Sequence, residues 1–277
     1  MTTLLWLVAA IGLLPLLIGT ARLERGSARM APRDLAASTL LCALAFSLTF
    51  LVQELGLVIP KALVPGLDPI LYHNDHDWSG DTPVAELLQG GGAVTTLFSG
   101  LVFLWLAERI SPARPTWRLF AFWMAFQGLF QSLSQWAIGC WLPGNDVGRA
   151  LAYLDAGPAQ KGPLFVAAVI AMFAAGVLLA RRYPNPGEDR GAVAQLTAVL
   201  ALAILLIVPF RIPREPVEVV LIPLVVHLIG LGWLAVGWHF RRGTAPLSDA
   251  PAIAGPLAAL AALLALFQLV LRPGISF

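Results

Sequence analysis

Eight apolar runs, at 2–20, 35–59, 84–107, 117–142, 163–180, 193–210, 217–240 and 252–271, dominate this chain and leave little room for any fold but a membrane bundle. A bilayer core is about 30 Å thick and needs about 20 predominantly apolar residues per crossing helix. With 58% hydrophobic and 12% charged residues and a mean hydropathy of +0.79, the chain carries more apolar surface than one soluble core absorbs. The expected class is an all-α polytopic membrane protein with about eight transmembrane helices, a single integral membrane domain over 1–277 whose first partner is the lipid bilayer. The first run lacks a basic leading segment and exceeds a signal core, which predicts an uncleaved span.

The connections carry turn signals. Thr82-Pro83 is expected to open the third helix, Thr116 the fourth and Gly162-Pro163 the fifth. Alternate loops hold Arg22, Arg25, Arg29, Arg33, Arg109, Arg114, Arg118, Arg181, Arg182, Arg190, Arg241 and Arg242, 12 of the 18 basic residues. The positive-inside rule therefore places both termini on the non-cytoplasmic side. Connections 60–82 and 143–162 then share the outer face, which Asp68, Asp75, Asp77, Asp81, Asp146 and Asp155 make acidic. With a net charge of +2 and no basic run interleaved with aromatics, nucleic acid is excluded as a partner. Cys42 and Cys140, each within an apolar segment, read as small buried hydrophobes. Arginine outnumbers lysine 16 to 2 beside abundant Ala, Gly and Pro, the composition of a GC-rich bacterial genome, so the expected location is a bacterial inner membrane.

Polarity concentrates in the first half, over 34–160, while 161–277 reads as apolar scaffold. The second helix carries Gln53 and Glu54 shortly before Pro60, and a loop with His73, Asn74, Asp75, His76 and Asp77 follows. An ionisable group inside a span usually faces protein or a polar cavity, which makes Glu54 a candidate base. His73, His76, Asp77 and Asp146 are candidate ligands for zinc or another divalent metal, since a helical turn would put His73 and His76 on one side. The plainer reading of the same loop is a solvated set of Asx turns with Trp78 at the interface. Gln127, Gln131 and Gln135 recur every four positions and form a stripe on one face of the fourth helix. With Gln53 and Gln89 they are the candidate lining of a polar cavity, or plain interhelical glue. Gly90-Gly91-Gly92 predicts close backbone approach at the start of the third helix. His227 reads as a hydrogen-bonded packing residue.

Three segments in order resemble the site-2 protease family of intramembrane zinc metalloproteases. Val52-Gln53-Glu54-Leu55-Gly56-Leu57 resembles the His-Glu-x-x-His helix with both histidines replaced, by Gln53 and Leu57. Leu88-Gln89-Gly90-Gly91-Gly92-Ala93 is similar to the small-residue opening of the next helix, and the stretch from Leu142 to Leu151 around Asn145-Asp146 to the later aspartate motif. The resemblance covers roughly 45–155 and implies Glu54 in the place of the base and Asp146 in that of a metal ligand. Without the histidines it implies a degenerate relative, a pseudo-enzyme that binds a membrane segment or another membrane protein without cutting it. Two alternatives stand beside this expectation. One is a metal-dependent membrane hydrolase with ligands His73, His76 and Asp146. The other is a proton-linked small-solute transporter using Glu54, although the halves show no internal repeat.

Overall fold

Runs of Leu, Ala, Val and Phe this long satisfy their backbone hydrogen bonds internally only as helices, and the chain folds accordingly. The structure, a computed structural model, describes residues 2–21, 30–183, 191–241 and 250–277. Arg22, Arg25, Arg29, Arg190 and Arg242 of the arginine count lie outside the described residues. The elements in order are α1 (Thr2–Ala21), α2 (Pro32–Ala62), β1 (Asp68–Tyr72), β2 (Asp75–Ser79), α3 (Val84–Arg109), α4 (Pro115–Gly139), α5 (Asp146–Tyr153), α6 (Pro158–Arg182), α7 (Ala192–Arg211), α8 (Val217–Trp238), α9 (Ala254–Leu271) and β3 (Ile275–Ser276). Each of the eight apolar runs is a helix within a few residues of its expected bounds. The fifth starts at Pro158 rather than Pro163, with the Gln160 side chain accepting from Gly157 N at 3.0 Å.

Seven of the described helices are long and apolar enough to cross a membrane; α4, though 25 residues long, is not among them. Its glutamines and serines dilute its hydropathy, and its place in the bundle permits this. All residues from 121 to 134 are buried, so its polar side chains meet protein instead of lipid. Helices α2 and α4 lie side by side and parallel. Trp123 Nε1 donates to Ser38 Oγ at 3.0 Å, Gln127 Nε2 lies 3.5 Å from Cys42 Sγ, and Gln135 Nε2 donates to Gln53 Oε1 at 2.8 Å. Further along α2, the triple glycine brings α3 to backbone contact. A Cβ on Gly91 would stand 2.5 Å from the Gly56 carbonyl oxygen.

Connection 60–82 is not the irregular loop of the all-α expectation. Residues Asp68–Tyr72 and Asp75–Ser79 form an antiparallel hairpin, and β3 pairs with β1 on its other side, giving the order β2-β1-β3. Pairing of Tyr72 with Asp75 leaves His73-Asn74 as a two-residue turn, and Asn74 takes the left-handed conformation such a turn requires (φ 56°). The hairpin is pinned to the bundle by Asn74 Nδ2, which donates to the Phe210 carbonyl at 2.7 Å, and by Arg214 with Asp75 at 2.5 Å. Connection 143–162 likewise contains a helix, α5, capped by the Asn145 side chain accepting from Val147 N at 3.1 Å.

Candidate functional site

The hairpin lays His76 over the end of α2. Alternation along β2 puts His76 and Trp78 on one face and Asp75 and Asp77 on the other. His76 Nδ1 lies 2.8 Å from Glu54 Oε2, and Nε2 lies 3.1 Å from Gln89 Oε1. Both ring nitrogens of His76 are thus engaged, one by a carboxylate and one by an amide. Both partners are sheltered, with side-chain exposures of 9% for His76 and 6% for Glu54. The His76 ring also stacks on Trp78, with centroids 5.8 Å apart and planes at 13°.

Two cations complete the wall. Lys61, fully buried in the last turn of α2, holds Nζ 4.4 Å from the Trp78 ring centre and has no hydrogen-bond partner among the described residues. Arg149, from α5, sits 5.0 Å from the same ring and grips Glu86 at the start of α3 through Nε at 2.6 Å and Nη2 at 2.7 Å. This bidentate pair ties α5 to α3. Asp146, the first residue of α5, shares the cluster. Burial first, then the nearby Glu54 carboxylate, pushes its carboxyl above the ordinary range, while His76, Lys61 and Arg149 pull it back.

Beside the cluster, α1, α2, α4, α8 and the 142–146 segment enclose a cavity of about 530 Å³. Its polar end is Gln53, Gln135, Asn145 and Asp146; Phe50, Ile138, Leu221 and Val225 are among its apolar walls. Gln135 Oε1 is buried there without a hydrogen-bond partner. The five glutamines named from the sequence therefore divide. Gln53 and Gln135 line the cavity, and Gln89, 1% exposed, instead holds His76. Gln127 Nε2 donates to His227 Nε2 at 2.8 Å, with His227 Nδ1–H donating to the Pro223 carbonyl at 2.7 Å, so His227 is the hydrogen-bonded packing residue expected. Gln131, between these pairs, has neither amide atom hydrogen-bonded.

The candidate metal ligands do not converge. His73 is buried in the hairpin turn and not on a helical turn with His76, because the two-residue turn sends them to different neighbours. Burial holds His73 below histidine's ordinary range; the Ile212 carbonyl works the other way, and Arg214, Arg272 and Arg211 add to the lowering. Asp77 is exposed on the opposite face, its Oδ1 accepting from Trp78 N at 2.8 Å. Among the described residues no group of three or more His, Cys, Asp or Glu side chains is placed to hold a metal ion. Glu54, His76 and Asp146 are brought together; His73 and Asp77 are not.

Sequence reasoning passed over the cation–aromatic wall. A lysine one residue after Pro60 and an arginine three after Asp146 are ordinary in a sequence, and only the hairpin brings Trp78 to them. It also passed over Arg211, in the half read as scaffold. This residue is 2% exposed, lies 4.4 Å from the Phe50 ring centre, and donates from Nε to the Glu218 carbonyl at 2.7 Å. Comparison with protein-family models, curated proteins and solved structures finds no match.

Proposed function

We propose that this chain is a non-proteolytic multi-pass membrane protein that binds a membrane-inserted segment of a partner protein in the cavity between α1, α2, α4 and α8. The observation that carries this reading is the engagement of His76 by Glu54 and Gln89 through both ring nitrogens. The candidate base and its nearest imidazole are committed to each other, while the adjoining cavity is apolar except at Gln53, Gln135, Asn145 and Asp146. Such a surface suits a hydrophobic segment with a local break in its backbone pairing. Gln135 Oε1, lacking a partner, accepts one backbone N–H of that segment. Descent from the site-2 metalloproteases, with Glu54 and Asp146 kept and the histidines lost, belongs to this proposal. So do eight spans including α4, both termini on the outer side, and a bacterial inner membrane.

A photo-crosslinking residue at Val225, on the cavity wall, is expected to capture one protein species in native membranes, and Gln135→Leu to abolish that capture. The same probe at exposed Val166 captures none. Absence of a specific adduct at Val225 refutes the reading. So does a membrane protein that accumulates uncut when Glu54→Gln replaces the wild type, since that outcome is proteolysis. Thiol labelling from each side at Asp155→Cys and Ala113→Cys tests the orientation.

The alternative, a metal-dependent hydrolase with ligands His73, His76 and Asp146 and Glu54 as base, is the weaker proposal, because no three of the described His, Cys, Asp or Glu side chains are grouped to hold a metal. Stoichiometric zinc or another divalent metal in protein purified without chelator, lost in His76→Ala, would favour it.

A further inference from the structure

A second recess lies on the far side of α2, between α2, α4 and α9, with a volume of about 830 Å³. This is within the roughly 300–1,000 Å³ span of small-ligand sites. Leu41, Leu44, Leu48, Phe120, Leu263 and Leu266 make its walls, and Arg114 is its one charged lining residue. Arg114 sits immediately before α4, exposed and without a carboxylate partner among the described residues. One turn on, Arg118 has Nε and Nη1 buried without hydrogen-bond partners, and its backbone N donates to the Arg114 carbonyl at 3.1 Å. The free N–H groups at the start of α4 open toward the same end, which favours an anion. The mouth is held by Thr116 Oγ1, accepting from Ala252 N at 2.7 Å, and flanked by Trp117, 63% exposed.

We infer that this recess seats one anionic phospholipid, with its acyl chains along Leu41, Leu48, Phe120 and Leu263 and its phosphate at Arg114. The charge pattern selects this occupant. A single cationic end, unpaired among the described residues, on an otherwise apolar groove complements an amphiphile with one anionic end, whereas a partner helix would meet apolar wall over most of its length and leave Arg114 unmatched. The site lies apart from the Glu54–His76 cluster and is independent of the function proposed for it.

Delipidated protein in neutral detergent is titrated with phosphatidylglycerol and with phosphatidylcholine of the same chains, and bound lipid is counted by native mass spectrometry. Wild type is expected to retain one phosphatidylglycerol per chain with about a fivefold preference over phosphatidylcholine, the worth of one interfacial arginine. Arg114→Ala should bring the two lipids to equal retention. Ala259→Trp, at an exposed lining position where the ring fills the recess without entering the core, should lower the count of both. Ala262→Phe gives the same readout if the tryptophan variant does not fold. Equal retention by wild type, a preference that survives Arg114→Ala, or an unchanged count in a folded groove-filled variant overturns the assignment.

Discussion

A double-mutant cycle on Glu54 and His76 asks whether the centre of the site is held by their mutual hydrogen bond. Replacing His76 by alanine leaves Glu54, 4% exposed at the end of α2, without the imidazole that lies 2.8 Å from Oε2. Breaking a buried pair from one side costs roughly 3–5 kcal/mol, because the remaining group keeps its desolvation and loses its partner. Gln89 loses its donor as well, since its Oε1 faces His76 Nε2 at 3.1 Å. His76→Ala is therefore expected to destabilise by about 3 kcal/mol. Glu54→Gln keeps the volume and one hydrogen-bonding oxygen and is expected to cost about 1 kcal/mol. In the double variant the charge is gone with its partner, and the loss falls about 2 kcal/mol short of the sum. With side-chain exposures of 9% and 6%, screening by water takes little from this coupling. Denaturant-induced unfolding in mixed micelles, followed by tryptophan fluorescence, supplies the four stabilities. Additivity within about 0.5 kcal/mol would refute the argument, because independent sites add to that precision.

Four further outcomes follow from the geometry. Because burial lowers His73, the unfolded chain binds more protons between the folded and unfolded pKa values. Stability in that window rises with pH and is lost as pH falls through it, so protection factors in β1 and β3, referred to the intrinsic exchange rate at each pH, should fall on acidification below about 6.5 in wild type but not in His73→Leu. Asp146 has the opposite sign: its carboxyl is raised, so folded protein holds more protons and stability declines as pH rises through the window. Asp146→Asn is then expected to gain thermal stability above that window and little below it. Gly91→Val, which would put Cβ 2.5 Å from the Gly56 oxygen, should cost about 2 kcal/mol or more and part α2 from α3, read as a lost cysteine crosslink between the two helices. Gln131→Leu, removing an amide with no partner, should leave the unfolding midpoint equal or higher, whereas Gln127→Leu strands His227 Nε2 and should lower it.

What the sequence revealed and what it hid divide along physical lines. Helix positions were legible because each run's length and apolarity is a local property, and all eight runs became helices. The triple glycine was legible for the same reason, since only its lack of side chains permits the approach to Gly56. The hairpin was hidden. Its strands are five residues each, Asp-rich in β2, and β1 finds its second partner, β3, some 200 residues further along the chain. A helical i, i+3 rule applied to His73 and His76 then paired two residues that a two-residue turn divides. The arginine count put the connections carrying His76 and Asp146 on the side where α2 ends, and His76 there meets Glu54. Arg211 was missed because a single arginine at the end of an apolar run reads as an interfacial anchor, and nothing local says that it turns inward onto Phe50.

The feature that explains most of this arrangement is the shielding of α4. A helix with three glutamines and two serines among its later turns would be expensive against lipid, and here residues 121–134 are covered by neighbours. Running parallel to α2, it offers the same face to successive partners: Trp123 to Ser38, Gln127 to Cys42 and His227, Gln135 to Gln53. The first contacts are closed within the protein. The last opens on the cavity, with Gln135 Oε1 unpaired and Asp146 beside it. The same stripe thus passes from glue to lining along one helix. The change comes at the end of α4, where the 142–146 segment leading into α5 borders the cavity beside α1, α2 and α8. The polar helix persists because α2, α3, α6 and α8 pack along it and the short helix α5 covers its end.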